Sequence, residues 1–312
     1  MISIIVCSRF TEVRNELSYN IKLTIGVEYE LIVIDNSHNK FSIFSAYNEG
    51  VRLAKYPYLC FMHDDILYHT QNWGEKLIKH FENPNIGLIG VVGGHYMPKC
   101  PASWWSSGYV SGKYIQGYLE NNEYKTKYFE HLRYKNREEL SINVAVVDGI
   151  WFCIPKYIFQ NTTFDSNTFN NFHHYDTDIC FQILNHCKEV KVVFDILIEH
   201  KSRGFLNEIF HRQRIVCYDK WKDFLPKICG IEISENDLED RLYLVNEINN
   251  INIAYINKIN DFKIARLNEI EIIKSSFTYK LGAFLTKPFI YIQNKITNSY
   301  LINILIKKRK EY

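Results

Sequence analysis

The sequence predicts an α/β fold, in which a mostly parallel sheet is flanked by helices and followed by a helical C-terminal extension. Over residues 1–94, short apolar runs rich in β-branched residues alternate with segments of helical periodicity. This alternation is typical of parallel sheets joined by crossover helices. After about residue 230 glycine is almost absent and apolar positions recur at helical spacing. We therefore expect a catalytic domain at 1–230 and a helical region with a basic amphipathic tail at 231–312.

The apolar runs of the first half predict four buried strands, at 2–7, 29–35, 58–62 and 86–94. The segments between them predict three helices, at 11–21, 43–55 and 72–83. The first of these helices has Thr11 as its candidate N-cap.

The second half of the domain is less regular. Residues 95–142 are rich in Tyr, Trp, Lys and Asn, and we expect them to form an insertion that covers the site. Further along, the patterns predict a buried segment with a turn, a helix and a long strand, at 143–156, 173–187 and 190–200.

Composition excludes several classes of protein. The net charge of +2 gives no strong positive field, so a nucleic-acid partner is not expected. No apolar run reaches the roughly 20 residues that span a bilayer, and the N-terminus lacks the pattern of a signal peptide. The eight cysteines form no CxxC pair and several lie in apolar runs, which favours free thiols in a reducing cytoplasm.

Polar side chains follow three of the predicted strands at the point where each strand ends. They are Ser8 and Arg9, then Asp35 and Asn36, then His63, Asp64 and Asp65. Ligands of open parallel sheets bind beyond the carboxyl ends of the strands, so we expect these side chains to converge on one edge.

Asp64 and Asp65 form the first acidic site. Paired carboxylates at a strand end suit a hard divalent cation, Mg²⁺ or Mn²⁺, which also binds substrate phosphates. Two adjacent aspartates are equally compatible with a solvated turn or a helix cap.

Asp176 and Asp178 form the second acidic site, directly before an apolar helical pattern. Asp176 is a candidate general base for an acceptor hydroxyl. The alternative is that both residues cap the helix and complement its dipole. His200 follows the last predicted strand, where it either completes a metal site begun by carboxylates or has a structural role.

Six segments together resemble glycosyltransferase family 2, and most closely its StrF-like subset of bacterial polysaccharide enzymes. They occur in the family's order and approximate spacing over residues 1–215, as "ISIIVCSR", "YELIVIDNS", "AYNEGVRLAKYPYLCFMHDDI", "VDGIWFCIPK", "YDTDICFQI" and "IEHKSRG". The resemblance implies a GT-A fold and an inverting, metal-dependent transfer from a nucleotide-sugar donor.

The resemblance also implies roles for individual residues. Ser8 and Arg9 would border the nucleotide and Asp35 would contact its base. Asp65 matches the family's metal-binding aspartate, His200 its metal-binding histidine, and Asp176 its catalytic base.

Further residues are expected to line the donor-sugar and acceptor pocket. The glycines among them are equally compatible with ordinary turns, and core packing is an alternative for the tryptophans. These residues are Gly94, Asp148, Gly149, Asp178, Trp104 and Trp105.

The sequence departs from the family pattern at two positions. His63 stands where the family's Asp-x-Asp motif begins, so Asp64 is the candidate for the ribose or metal role of that first aspartate. Tyr175 stands where a glutamate usually precedes the catalytic base.

Residues 274–312 carry eight Lys or Arg side chains and one Glu, with apolar residues between them. This pattern predicts either contact with an anionic membrane surface or a helix packed on the catalytic domain. The helical region could also pair in a homo-oligomer.

The leading functional hypothesis is a cytoplasmic glycosyltransferase that acts on a saccharide or lipid-linked acceptor in bacterial surface polysaccharide synthesis. The basic tail would allow peripheral contact with the inner face of the cell membrane. The altered Asp-x-Asp motif keeps open a non-catalytic nucleotide- or carbohydrate-binding protein on the same fold. A nucleotidyltransferase is less well supported, because no glycine-rich loop with Lys or Arg follows the first strand.

Overall fold

A computed structural model describes residues 1–132, 138–202 and 207–275 of the chain. Residues Met1–Asn249 form one compact unit, and a second unit begins at Asn250. The predicted basic tail lies outside the described residues from position 276 onward. All of the site residues discussed below belong to the first unit.

The first part of the chain alternates strands with helices, as the apolar pattern predicts. The elements are β1 (Ile2–Ser8), α1 (Asn15–Thr24), β2 (Tyr29–Asp35), α2 (Ile43–Leu53), β3 (Tyr58–Met62), β4 (Ile66–Tyr68), α3 (Trp73–His80) and β5 (Ile86–Gly90). The predicted cap at Thr11 is wrong, because α1 begins four residues later and its N-cap position, Arg14, makes no side-chain cap hydrogen bond.

The described residues of the second part form short strands, one long hairpin, one 3₁₀ helix and three α-helices. The elements are β6 (Val92–Gly94), β7 (Tyr96–Met97), β8 (Val110–Glu120), β9 (Glu123–His131), β10 (Ser141–Asn143), β11 (Val146–Val147), β12 (Trp151–Pro155), a 3₁₀ helix (Lys156–Gln160), α4 (Tyr175–Asn185), β13 (Glu189–Val193), β14 (Ile198–His200), α5 (Glu208–Trp221), β15 (Lys227–Ile228) and α6 (Glu235–Ser275).

A seven-stranded sheet in the order β10-β13-β5-β12-β3-β1-β2 forms the core of the fold. The pairs β1–β2, β1–β3 and β13–β5 are parallel, whereas β12 and β10 run against their neighbours. Five of the seven strands therefore share one direction, and the predicted mostly parallel α/β sheet with flanking helices is confirmed. The strands at its centre are buried on both faces, which explains why they read as continuous apolar runs.

A second sheet has the strand order β11-β6-β8-β14-β4, with β9 paired to β8. Its strands alternate along the sequence with those of the first sheet. Two strands that the sequence predicted as continuous are divided between the sheets. The run 86–94 becomes β5 and β6, and the run 190–200 becomes β13 and β14. Each break moves the following residues, Val92–Gly94 and Ile198–His200, into the sheet that borders the site.

The hairpin of β8 and β9 occupies much of the region predicted as an irregular insertion. Asn121 and Asn122 form its two-residue turn, both at positive φ (53° and 64°). Asparagine tolerates this left-handed conformation, and such turns match the twist of paired strands. In the described residues, no helix is long and apolar enough to cross a membrane. All eight cysteines are free thiols, as predicted.

Candidate active site

Asp64 is bound to the end of the first strand. Its Oδ2 accepts hydrogen bonds from the Ser8 hydroxyl (3.2 Å) and from the Arg9 backbone N–H (3.3 Å). The Arg9 guanidinium lies 3.5 Å from Oδ1 and is largely exposed. The structure thus brings together three of the residues that the sequence predicted for nucleotide contact, with the charged end of Arg9 open to solvent.

Asp35 ends β2 directly beside Ser8, its partner in the parallel register. Its Oδ1 accepts a hydrogen bond from the Ser37 backbone N–H at 2.9 Å, and hydrogen bonding to Ser37 lowers the pKa of the carboxyl. Asp35 is therefore a fixed carboxylate at the same edge of the sheet as Ser8 and Asp64.

His63, Asp65 and His200 form a cluster at the ends of β3 and β14. The Nδ1 of His63 lies 3.3 Å from the Nε2 of His200, which lies 3.4 Å from the Oδ1 of Asp65. One donor atom from each residue falls within 4.8 Å of the others. Asp65 and His200 are buried, so the cluster is largely withdrawn from bulk water.

The surroundings of Asp65 favour a charged carboxylate. Burial alone would raise the pKa of Asp65, but hydrogen bonds from His200 and Ser202 and the electrostatic attraction of the two imidazoles outweigh it and lower the pKa well below its usual range. Burial and the neighbouring His200 lower the pKa of His63, which favours the neutral imidazole.

These residues fit the divalent metal that the family resemblance implies. Two imidazole nitrogens and one carboxylate oxygen form a donor set that first-row transition metals accept. The cluster includes both predicted ligands, Asp65 and His200, and adds His63, which the sequence marked only as a departure from the Asp-x-Asp pattern.

Asp176 lies half-buried in the first turn of α4, beside the backbone of Gly149. Its Oδ2 accepts from the Gly149 N–H at 3.0 Å, and its Oδ1 accepts from the Thr177 N–H at 2.7 Å. Burial, and then the charge of Asp148, raise the pKa of Asp176 to about 7, against these two hydrogen bonds. A carboxyl group with that pKa can accept and release a proton near neutral pH, as a general base must.

Tyr175 connects this helix to the metal cluster. Its hydroxyl lies 3.0 Å from the Nε2 of His63 and donates to the carbonyl oxygen of Gly149, also at 3.0 Å. A Cβ at position 149 would collide with that hydroxyl, so this packing requires glycine. Gly149 therefore contacts Asp176 through its N–H and Tyr175 through its carbonyl.

Asp148 is held in the cavity wall by two hydrogen-bond donors. The indole N–H of Trp104 donates to its Oδ2 at 3.0 Å, and the Ile150 N–H donates to its Oδ1 at 2.8 Å. Trp104 is mostly buried, and the more exposed Trp105 stacks on Phe210 with ring centroids 5.9 Å apart. A Cβ at Gly94 would collide with the carbonyl oxygen of Trp104, so this glycine permits the close approach that positions the indole.

A cavity of about 510 Å³ lies between part of the metal cluster and the first turn of α4. The residues around it include both histidines of the cluster, the candidate base and several aromatic side chains. Its wall contains His63, Trp104, Trp105, Tyr114, Gln116, Asp148, Gly149, Phe172, His173, His174, Tyr175, Asp176, His200 and Phe210. This size and mixture of aromatic and polar walls are typical of a site for a small organic ligand.

Asp178 is not among the described residues that line this cavity. Its carboxylate contacts the Lys220 ammonium at 2.6 Å and accepts from the Trp221 indole and the Gln182 amide, each at 2.8 Å. These contacts connect α4 to α5 in the interior. The environment of Asp178 is that of a structural carboxylate, in contrast to the substrate contact that the sequence suggested.

A model of a glycosyltransferase-like family matches residues 3–214 of this chain. The chain belongs to that glycosyltransferase-like family. The match includes every residue of the metal cluster and the candidate base, so the family assignment and the site concern the same part of the molecule. The predicted glycosyltransferase family is thereby confirmed, and no curated protein matches the chain.

Solved structures of glycosyltransferases are similar to this chain at low identity. One is a mannosyltransferase from Pyrobaculum calidifontis in complex with GDP-mannose and Mn²⁺, at 11% identity and a TM-score of 0.48. That match covers 91% of this chain and 83% of the mannosyltransferase chain. Another is GalNAc-T7 with UDP, GalNAc and Mn²⁺, at 12% identity and a TM-score of 0.47. That match covers 72% of this chain, which spans half the length of the GalNAc-T7 chain.

Sequence reasoning missed several residues of the site. Tyr114 and Gln116 lie on β8, in the region that looked irregular, and Phe210 lies on α5 beyond the last recognised segment. The alternation of β8 was a usable signal, since "SGKYIQGY" (111–118) places Tyr114 and Gln116 on one face of a strand. No local signal marked Phe210, which reaches the cavity only through the packing of α5.

Proposed function

We propose that this protein is an inverting, metal-dependent glycosyltransferase that moves a sugar from a nucleotide-sugar donor to a hydroxyl group of an acceptor. One observation carries the proposal. A half-buried carboxyl group with a pKa near 7, Asp176, lines the same cavity as two histidines of a potential metal cluster. Family membership supports the reaction class, and the two groups supply the two functions that the reaction needs.

The nucleotide half of the donor would lie at the sheet edge. Arg9 presents a guanidinium that can pair with phosphate oxygens, and Asp35 and Ser8 offer acceptors for a base or ribose. Asp64 orients Arg9 and the end of β1 through three contacts, which makes the edge rigid before the donor arrives.

Asp65 and His200, with His63 beside them, would hold a divalent metal ion next to the diphosphate. When bound, such an ion neutralises the charge that develops on the leaving nucleoside diphosphate. Because its pKa is lowered, Asp65 is already a charged carboxylate at neutral pH before any metal binds.

Asp176 would accept the proton of the acceptor hydroxyl as that oxygen attacks the anomeric carbon. The Gly149 and Thr177 N–H groups fix the carboxylate, and its raised pKa matches a proton transfer near neutral pH. Inversion requires the base and the leaving group on opposite faces of the sugar, and the separate positions of Asp176 and Asp65 in the fold support that arrangement.

The aromatic walls would select the acceptor. Trp104, Trp105 and Phe210 offer apolar faces on which a sugar ring can stack, and Asp148 offers an acceptor for its hydroxyls.

We further propose that the protein belongs to the StrF-like subset of family 2 and acts at the cytoplasmic face of the membrane. Its acceptor would be a saccharide or lipid-linked acceptor of bacterial surface polysaccharide synthesis.

A thermal-shift panel of nucleotides and nucleotide-sugars, with and without Mn²⁺, tests this proposal. A ligand that binds only the folded state raises the apparent melting temperature. We expect one nucleoside diphosphate and its sugar to raise it in the presence of Mn²⁺, and Asp65→Ala to remove that Mn²⁺ dependence. The positive donor is then used in a transfer assay with a saccharide acceptor library.

The outcomes separate the functions. Binding of a donor without transfer or donor hydrolysis would favour a non-catalytic nucleotide-binding protein. If no nucleotide in the panel raises the melting temperature, both the glycosyltransferase and the non-catalytic nucleotide-binding protein would be contradicted.

A further inference from the structure

The two departures of this sequence from the family pattern contact each other. His63 replaces the first aspartate of the Asp-x-Asp motif, and Tyr175 replaces the glutamate before the catalytic base. The Nε2 of His63 lies 3.0 Å from the Tyr175 hydroxyl, although 112 positions separate the residues in the sequence.

The direction of the hydrogen bonds determines which ring nitrogen of His63 is available. A phenol has one proton, and that of Tyr175 goes to the carbonyl oxygen of Gly149 at 3.0 Å. The phenol oxygen must then accept a proton from His63, so Nε2 carries the hydrogen and Nδ1 carries the lone pair. That Nδ1 is the atom 3.3 Å from the Nε2 of His200.

Two of the three separations between the donor atoms fit ligation of one ion, and the third lies within 4.8 Å. Two donors that each lie about 2.1 Å from a metal are roughly 3.0–3.4 Å apart. The Nδ1 of His63 and the Oδ1 of Asp65 lie 3.3 Å and 3.4 Å from the Nε2 of His200. A ligating histidine usually donates its other N–H to an oxygen, and Tyr175 is placed to receive it.

We propose that His63 is a third protein ligand of the metal, positioned by Tyr175, and that the site takes a first-row transition metal such as Mn²⁺, Co²⁺ or Zn²⁺ in preference to Mg²⁺. The inference deepens the metal role in the proposed function and rests on it for its catalytic meaning. Metal binding itself can be measured without any donor.

The preference follows from the donor atoms. Mg²⁺ favours oxygen ligands and retains its water, whereas imidazole nitrogen suits the transition metals. An Asp-x-Asp motif that retains its first carboxylate offers an oxygen at the position of His63. Exchange of that oxygen for a nitrogen lowers the affinity for Mg²⁺ and raises it for the later metals of the first row.

Calorimetric titration of the metal-free full chain with Co²⁺ and with Mg²⁺ tests the inference. We expect Co²⁺ to bind and a large excess of Mg²⁺ not to displace it. His63→Ala should lower Co²⁺ affinity by about 100-fold, and Tyr175→Phe by about 10-fold, within the range seen when a ligand's orienting partner is lost. His186→Ala, which removes an exposed imidazole at the other end of α4, is the matched control and should bind Co²⁺ as the wild type does.

His63→Asp restores the family's carboxylate and gives the complementary result. Its Mg²⁺ affinity should rise while its Co²⁺ affinity falls, and Tyr175→Phe should then have little further effect on Co²⁺ binding. Such non-additivity separates a positioning role of Tyr175 from general destabilisation. Electron spin-echo spectra of the Mn²⁺-loaded protein should show nitrogen modulation that becomes weaker in His63→Ala.

Co²⁺ affinity unchanged in His63→Ala, or displacement of Co²⁺ by Mg²⁺ at comparable concentration, would overturn the inference. These results are independent of the transfer reaction. A protein that binds Co²⁺ through His63 but transfers no sugar would retain the metal inference and lose the proposed function.

Discussion

Asp65 and Asp176 are the same residue type in the same domain, yet their surroundings shift their pKa values in opposite directions. Asp65 accepts hydrogen bonds from His200 and Ser202, which lower its pKa despite burial. Asp176 is half-buried at the cavity wall near another carboxylate, Asp148, and its pKa rises to about 7. Removal from water raises the pKa of both carboxyl groups, but only Asp65 has partners that outweigh this effect.

The difference supports the role proposed for each carboxylate. A group that stays charged over the whole physiological range suits a metal ion, and one that exchanges its proton near pH 7 suits acid–base catalysis. Changes that interfere with one member of this pair while sparing the other are therefore the sharpest tests of the site.

The largest effect is expected for Asp176→Asn. Loss of the base should reduce transfer by about 10²–10⁴-fold, since a positioned general base contributes on that order. Co²⁺ affinity should stay at the wild-type value, because Asp176 is not part of the metal cluster. Initial transfer rates and metal titration of the same preparation check both parts, and a rate close to that of the wild type would contradict the assignment.

The stability of the protein should depend on pH through Asp176. Its pKa in the folded state is about 7, against 3.8 for an ordinary aspartate, so between these pH values the folded state holds a proton that the unfolded chain has lost. The contribution of this group is therefore fully present at acid pH and is lost as the pH rises through about 7, by a few kcal/mol.

Urea unfolding of the metal-free wild type and of Asp176→Asn, at about pH 5 and about pH 8, measures this contribution. We expect the wild type to lose stability relative to the variant between the two values. A difference between the two proteins that does not change with pH would mean that the carboxyl titrates near its ordinary value.

A smaller effect is expected for Asp148→Asn, which removes the charge that helps to raise the pKa of Asp176. The transfer rate should rise with pH as Asp176 loses its proton, and in the variant this rise should move to lower pH. The measured quantity is the position of the acid limb of the kcat/KM profile, not its height, because Asp148 also faces the cavity. An acid limb that stays in place would show that Asp148 does not act on Asp176 through its charge.

The smallest change in activity is expected for Asp178→Asn, although Asp178 is only two positions from the base. Its partners are Lys220, Trp221 and Gln182, so kcat/KM should be close to that of the wild type at temperatures where the variant is folded. Stability should fall by less than the ~3–5 kcal/mol typical of a broken buried pair, because Lys220 keeps Asp165 at 2.8 Å. A marked rise in KM would instead indicate a substrate contact.

Much of the fold could be predicted from the sequence because its central strands are buried on both faces. The strand at 58–62 was predicted with its observed bounds, since turn residues and polar side chains end the apolar run. The strand at 29–35 also has its predicted bounds, but its prediction as a buried strand is wrong, because β2 is the edge strand of the sheet and only half-buried. The runs 86–94 and 190–200 were predicted as single strands because apolar content does not reveal where a chain leaves one sheet for another.

The site was predictable where it follows strand ends and unpredictable where it depends on long-range packing. Ser8, Asp64, Asp65 and His200 could be found because parallel strands direct their carboxyl ends to one edge. No sequence pattern indicates that His63 and Tyr175 are in contact, since 112 positions separate them. Asp178 shared the acidic pattern of Asp176, but α4 turns its side chain toward α5, which no local pattern records.

Gly149 is in contact with both the candidate base and the tyrosine beside the metal cluster. One side of this residue donates its N–H to the base, and its carbonyl receives the tyrosine that orients a histidine of the metal cluster. Under the proposed function, one peptide of the main chain, which has no alternative rotamers, would therefore help to position both the candidate base and the metal cluster. A shift of this peptide should displace both groups, whereas exchange of other side chains of the cavity wall leaves it in place.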